Sequence, residues 1–308
     1  MVRILNVDKP IGWTSFDVIR FLKRFLNEKK AGHLGTLDPL ASGVLPVFLG
    51  KGTRLIPFFN ETDKIYRAKI HLGVRTDTYD AEGIILEKNQ CPEFSHQDIE
   101  TALSVFQGKH LQSVPIHSAV KIQGKRAYQL ARKGESIDMP RREVEFLELV
   151  LESLELPWIE VRVHCSKGTY IRSLAEELGS KLGIGAHLSG LIRLQCGNHF
   201  RLDDACSPEY MKELEIDSIP WMDPVELLKD WILVQVDKLE IQKILQGRRF
   251  VLDRKISEFQ AHLEKDVVSM SSTRAKAVNA ENKLVAVGVI VWDNVDCYFQ
   301  PSRVLVQE

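Results

Sequence analysis

The chain of 308 residues reads as an α+β protein. The expected architecture is a mixed, largely antiparallel sheet flanked by helices, with a small β-rich domain after it. Three observations lead there. Apolar and polar residues alternate at 64–72, 143–154 and 158–165, as half-buried strands require. Helical periodicities are interspersed among these runs without the strand–helix–strand rhythm of a parallel sheet. Near residue 231 the pattern changes to short apolar segments, after an acidic stretch carrying Pro208, Pro220 and Pro224.

The elements follow in order. Residues 2–8 alternate enough for a strand. Thr14 and Ser15 then look like caps, with Asp17 in the first turn. Val18, Ile19, Leu22, Phe25 and Leu26 recur at helical spacing, and Lys29 and Lys30 crowd the end before Gly32. Leu40–Leu49 is apolar and expected to be buried. In Lys64–Leu72, Tyr66, Ala68, Ile70 and Leu72 share one face. Ser95 caps a helix over about 97–107. Residues 117–123 suggest a strand that turns at Gly124 into a basic helix. The runs 143–154 and 158–165 suggest a hairpin breaking near Leu156–Pro157. Gly168 leads into a helix through Leu182. Residues 203–230 read as a connector of short helices. Strand-like segments follow at Ile232–Val236, Val267–Met270, Leu284–Val291 and Tyr298–Val306. The expected domains are therefore 1–230, connector included, and 231–308.

The most informative stretch is 32–45, Gly-His-Leu-Gly-Thr-Leu-Asp-Pro-Leu-Ala-Ser-Gly-Val-Leu. Gly32 and Gly35 break periodicity before Asp38, and Pro39 pushes Asp38 toward extended backbone. Local sequence favours a helix start here, with Asp38 as N-cap and Pro39 as first helical residue. A carboxylate on a stiff turn can also be aimed at a ligand, and one aspartate can do both.

Composition narrows the function. No apolar run approaches membrane-spanning length, and the N-terminus lacks the apolar core of a signal peptide. Cys91, Cys165, Cys196, Cys206 and Cys297 are odd in number and widely spaced, which argues for reduced thiols in a cytoplasmic protein. Glycine-rich phosphate loops are missing, and His33 with Asp38 lacks a second ligand pair, so neither a cofactor nor a metal is expected. A hydrolase triad is weak because no G-x-S-x-G elbow exists. Net charge is −1, yet residues 109–142 carry eight Lys/Arg against two acids, while 201–240 carry four against eleven. Such asymmetry suits a polyanion held on one face, although 125–133 alone could be a solvated helix face. Arg172, after a glycine turn, is either a surface arginine or a fixed guanidinium holding a carboxylate. Tyr66 is either sheet packing or a platform for a base.

Several motifs in order resemble the bacterial tRNA pseudouridine-55 synthase family, over about residues 5–200. They are Lys9-Pro10-x-Gly12-x-Thr14-Ser15, the Gly32–Leu45 stretch, Asp63-Lys64-x-Tyr66, the basic Pro115–Arg132 segment, Ser166–Arg172, and Gly185-Ala186-His187-Leu188-x-x-Leu191-x-Arg193. The resemblance implies isomerisation of uridine to pseudouridine in the T-loop of tRNA, without cofactor. It makes Asp38 the catalytic carboxylate and His33 a wedge that helps expel the target uridine. Tyr66 would stack on the flipped base, Arg172 would pair with Asp38, and Tyr170 and Leu191 would line the uracil pocket. Lys9 and Pro10 would support the floor. Lys121, Lys125, Arg126 and Arg132 would hold RNA phosphates, so binding should weaken with salt. The C-terminal domain resembles a PUA-type RNA-binding module, with Gly247-Arg248-Arg249 and the strand near Leu284–Val291 fitting loosely. The implied protein is a cytoplasmic monomer that binds the tRNA T-arm and no membrane. His117, where the family usually has Tyr or Phe, and Ile192, where Arg is frequent, depart from the pattern on the RNA-facing side.

The chemistry suits these residues. The glycosidic bond breaks, uracil turns, and C5 bonds to the ribose, with no group exchanged with a cofactor. One ionised carboxylate can attack C6, attack C1′, or remove the C2′ proton. The base must first leave its stack, at a cost of a few kcal/mol. Other readings on the same fold are a guide-RNA-dependent synthase and a non-catalytic RNA-binding or tRNA-folding protein.

Overall fold

The computed structural model describes residues 2–252, apart from 117, 119, 123–124 and 127–138, and then 273–292 and 296–306. The expected segment Val267–Met270, the basic helix after Gly124, Arg132 and His117 lie outside the described residues. So do the side chains of Lys121, Lys125 and Arg126, whose backbones form two short paired strands.

The strands in chain order are β1 (Val2–Lys9), β2 (Ala31–His33), β3 (Ala41–Gly50), β4 (Lys64–Leu72), β5 (Val74–Thr76), β6 (Ile85–Lys88) and β7 (Gly108–Ser113). They continue as β8 (Lys121–Ile122), β9 (Lys125–Arg126), β10 (Arg141–Glu155), β11 (Trp158–Cys165), β12 (Ala186–Cys196) and β13 (Phe200–Arg201). The C-terminal part adds β14 (Ile232–Gln235), β15 (Phe250–Val251), β16 (Thr273–Val278), β17 (Leu284–Trp292) and β18 (Cys297–Val304).

Among the described residues, nine strands join in one sheet of order β1-β3-β12-β4-β11-β10-β7, with β2 beside β3 and β13 beside β12. Only the β3–β12 contact is parallel, so the mixed, largely antiparallel sheet is as expected. β3 and β12 place Gly43 opposite Arg193, and β12 and β4 place Arg193 opposite Tyr66. These two registers bring three sequence-distant motifs to one place. A second sheet of order β14-β16-β17-β18-β15 forms the strand-rich C-terminal part.

Local chemistry accounts for the elements. The helix Ser15–Phe25 starts at Thr14 with a reciprocal capping box to Asp17, which satisfies two otherwise orphaned donors. Val18, Ile19, Leu22 and Leu26 are buried and pack on Leu5, Val7, Leu45, Val47 and Leu49 of β1 and β3. Each contributes roughly 1.5–3 kcal/mol of hydrophobic burial. The alternation in β4 holds as read, with Tyr66, Ala68, Ile70 and Leu72 buried. They share a core with the helices His96–Ser104 and Ile171–Lys181. Opposite faces of β1 and β3 present Ile4, Val44 and Phe48 to Val225, Leu227 and Leu228 of the connector and to Val278, Leu284 and Val287 of the second sheet. Lys276, buried in that junction, donates to the Val225 carbonyl at 2.9 Å. Burial pushes its pKa down, with nearby Glu226 and Asp223 opposing.

Two expectations change. Asp38 does not start a helix: the Ala41 amide donates to the Asp38 carbonyl at 3.1 Å, closing a turn, and β3 begins at Ala41. The apolar run from Ala41 pairs with β1 on one side and β12 on the other, and that ladder outweighs the local capping signal. The C-terminal part also contains a helix, Lys238–Leu245, behind an Asp237–Glu240 capping box.

Candidate active site

A cavity of about 650 Å³ opens beside the end of the largest core, and Asp38, Tyr66, Tyr170, Arg172 and Leu191 all line it. Five of the seven residues expected at the base-binding site are thus brought together. His33 and Lys9 stand outside the lining set.

The Asp38 loop is held from several directions. The Ser15 hydroxyl accepts from the Leu37 amide at 2.8 Å and donates to the Leu37 carbonyl at 3.0 Å. The Gly12 amide donates to the Pro39 carbonyl at 2.8 Å. Arg193, 1% exposed, donates from Nε to the Val44 carbonyl at 2.6 Å and from Nη2 to the Gly35 carbonyl at 3.1 Å. Its approach requires glycine at 43, where φ is +94° and a Cβ would collide with the Arg193 carbonyl. These ties fix the backbone on both sides of Asp38 and leave its side chain 42% exposed toward the cavity.

Arg172 supplies the cation. Its side chain is 6% exposed, and Nε lies 3.0 Å from Asp38 Oδ2. Nη1 lies 3.6 Å from Asp80 Oδ2 and 3.3 Å from the Thr78 carbonyl. Asp80, whose side chain is 4% exposed, accepts from the Thr78 hydroxyl at 2.6 Å and the Glu82 amide at 3.0 Å. One buried guanidinium therefore links a partly exposed carboxylate to a buried, well-bonded one. This geometry orients the Asp38 carboxylate. Reading the sequence missed Asp80, although Asp77-Thr78-Tyr79-Asp80-Ala81-Glu82-Gly83 is a dense polar turn between β5 and β6. Glu82 also lines the cavity; burial first, then the Asp80 and Asp38 charges, raise its pKa.

The walls follow from β4, β12 and the turn after β11. Tyr66 is 8% exposed, and burial pushes its phenol up to about 12, opposed by Arg193. It stays neutral at physiological pH. Tyr170 is fixed through its backbone: its amide donates to Gln112 Oε1 at 2.8 Å, and Gln112 Nε2 donates to its carbonyl at 3.0 Å. The preceding Ser166–Thr169 turn needs the left-handed Gly168, φ +79°, and closes with Thr169 Oγ1 donating to the Ser166 carbonyl at 2.9 Å.

Lys9 is fully buried and spends its ammonium on the backbone, donating to Pro10 O at 2.9 Å and Trp13 O at 2.5 Å. Burial lowers its pKa to about 8, with Asp38 opposing. It braces the turn that meets Pro39. His33 sits on β2 opposite Val47. Burial, then the Arg193 charge, lower its pKa below the ordinary 6.5, so it is neutral at pH 7. Ile192 faces Arg67 across the β12–β4 pair.

The family model described as TruB family pseudouridylate synthase (N terminal domain) matches residues 23–171. A Clostridium acetobutylicum protein named tRNA pseudouridine synthase B is 43% identical over 256 residues, 83% of this chain and 87% of its own length. One of the same name from Syntrophomonas wolfei is 38% identical over 306 residues, 97% of each chain. The chain belongs to the TruB family of pseudouridylate synthases. It is an isomerase acting on uridine. Two solved structures share its fold. A chain of an H/ACA RNP bound to a substrate RNA containing 2′-deoxyuridine aligns with a TM-score of 0.68 at 22% identity, covering 99% of this chain and 85% of that one. A chain of a Cbf5-Nop10-Gar1 complex aligns with the same TM-score at 23% identity and the same coverage. Among the described residues no helix is long and apolar enough to cross a membrane.

Proposed function

We propose that this protein converts uridine 55 in the tRNA T-loop to pseudouridine, with Asp38 as the catalytic carboxylate. The observation that carries the assignment is the Asp38–Arg172 pair at 3.0 Å, braced by Asp80, inside a cavity walled by Tyr66, Tyr170 and Leu191. Curated relatives at 38–43% identity are named for the tRNA reaction.

The target base leaves its stack and enters the cavity. Tyr66, neutral and buried on its strand, stacks on it, while Leu191 and Tyr170 exclude water. Asp38 meets the sugar or the base, depending on which of the three routes operates. Arg172 keeps the carboxylate aimed. The apolar part of the wall, Leu37, Tyr66, Ile171 and Leu191, retains the detached uracil until C5 turns to C1′. His33 supports flipping from the T-loop side as a neutral imidazole. Lys9 works through the backbone, holding the turn against Pro39. Lys121, Lys125, Arg126 and Arg132 track phosphates, residues 1–230 carry the chemistry, and residues 231–308 act as a PUA-like RNA-binding module. The protein works as a cytoplasmic monomer.

The test uses unmodified tRNA carrying tritium at uridine C5, with no guide RNA and with a chelator present. Stoichiometric tritium release from position 55 is expected. A requirement for guide RNA would replace this reading with the guide-dependent one, and loss of release on chelation would reject the metal-free mechanism.

A further inference from the structure

Ser118 is a buried polar group of this cavity that neither the fold nor the proposed mechanism uses. It is 4% exposed, it lines the cavity, and its hydroxyl oxygen has no hydrogen-bond partner. A buried hydroxyl left unpaired costs about 1–3 kcal/mol. Native structures satisfy nearly all such groups, so an unpaired one calls for an explanation. Three other buried side-chain atoms share this condition among the described residues: Asn6 Oδ1, His33 Nδ1 and Glu176 Oε2. None of those three residues lines the cavity. Among the described residues Ser118 alone combines a buried unsatisfied hydroxyl with a position in the wall.

The backbone leading to Ser118 is tied to the site. β7 ends at Ser113, whose carbonyl accepts from the Ser173 hydroxyl at 2.8 Å. Gln112, just before it, holds both backbone groups of Tyr170. Ser118 thus follows closely on a strand end clamped to the helix start that carries Tyr170 and Arg172.

We infer that Ser118 Oγ hydrogen-bonds the polar edge of the flipped uracil. This inference rests on the reading of the cavity as a uridine site. The charged pair at the centre of the cavity divides its capacities: ionised Asp38 can only accept and Arg172 can only donate, and they face each other. Uracil presents acceptor, donor and acceptor along O2, N3 and O4. A hydroxyl both donates and accepts, so it can meet a carbonyl or the N3–H. It can therefore hold the base before and after the turn that exchanges N1 for C5. The same versatility means that Ser118 anchors the base and does not by itself distinguish uracil from cytosine.

The test compares wild type, Ser118→Ala and Ser118→Cys in the full chain, using single-turnover kinetics and binding on T-arm tRNA, with thermal melts of the free protein. In both variants the single-turnover rate is expected to fall about tenfold, equivalent to about 1.4 kcal/mol. The tRNA Kd should stay within about twofold, because phosphate contacts dominate it. The melting temperature of free Ser118→Ala should not fall, since removing an unpaired hydroxyl removes a penalty. An unchanged rate in Ser118→Ala overturns the inference while leaving the uridine reading intact. So does a wild-type rate in Ser118→Cys, which would assign the effect to size. A rate loss accompanied by a lower melting temperature in the free protein would also overturn it, by making Ser118 structural. Wild-type inactivity on tRNA would overturn both readings.

Discussion

Replacing Arg172 with Ala separates the stability of this site from its chemistry. The side chain is 6% exposed and serves two carboxylates, Asp38 at 3.0 Å and Asp80 at 3.6 Å. At an effective dielectric near 20, a unit pair at 3.6 Å is attracted by about 4–5 kcal/mol before desolvation is counted. Removing one partner of a buried pair costs about 3–5 kcal/mol, because the other charge is left uncompensated. Asp80 keeps its bonds from Thr78 Oγ1 and the Glu82 amide, so the lower end, about 3 kcal/mol, is expected. Asp38 is 42% exposed, and water screens its share of the loss. In a thermal melt Arg172→Ala should lose roughly 5 °C, given an unfolding entropy of about 2.1 cal/mol/K per residue. Its tritium-release rate should fall by about 10² or more, because Asp38 loses orientation. Adding Asp80→Asn should recover most of the melting temperature, since the stranded charge is gone, but none of the rate. A wild-type rate in Arg172→Ala refutes the ion-pair role. A wild-type melting temperature refutes the buried-carboxylate argument, and recovery of activity in the double variant refutes their separation.

Other expectations concern the parts around this pair. Lys9 has a folded pKa near 8 against an ordinary 10.5, so the folded state disfavours its charge. The resulting penalty is fully present below pH 8 and is relieved as pH rises toward 10.5. Relative to Lys9→Met, wild type should therefore gain roughly 2–3 kcal/mol between pH 8 and 10.5 in urea unfolding. Gly43→Ala should cost at least about 2 kcal/mol in the same assay, because φ is +94° and its Cβ would collide with the Arg193 carbonyl. Alanine at Lys121, Lys125, Arg126 and Arg132 together should weaken tRNA binding and flatten the log–log salt dependence by about 0.7–0.9 per lost phosphate contact. The saturated single-turnover rate should hardly move, and a large drop in it would put those residues in the chemistry instead.

Much of the architecture was legible where one local signal agreed with burial. Thr14 and Asp17 mark their helix by the capping box itself, and the strict alternation from Lys64 to Leu72 marks which face carries Tyr66. The Leu156–Pro157 break correctly divides β10 from β11. Asp38–Pro39 misled, because its helix-start chemistry was overridden by strand pairing on both sides of β3, and pairing partners are not written in neighbouring residues. The helix after Asp237 was overlooked, although its Asp-x-x-Glu box is the same signal that marked the first helix.

The site divides in the same way. Motif order brings Asp38, Tyr66, Tyr170, Arg172 and Leu191 to one cavity. Asp80 has no motif of its own in that reading, because its role arises from distance to Arg172, 92 positions later in the chain. Arg193 is similar: its sequence context ends a motif, but only the β3–β12 register shows it holding the carbonyls around the Asp38 loop. Lys9 stands in the first motif yet turns its ammonium to Pro10 and Trp13, because a fully buried cation must find oxygen acceptors close by.

The proposed mechanism stands on the Asp38 carboxylate itself performing the isomerisation. The most direct measurement is tritium release from C5-labelled tRNA by Asp38→Asn, with tRNA binding measured in parallel. Asparagine keeps the size of the side chain and removes the charge. Asp38→Asn should bind tRNA within a few-fold of wild type and give no detectable release. Release at the wild-type rate by Asp38→Asn would contradict a catalytic role for this carboxylate.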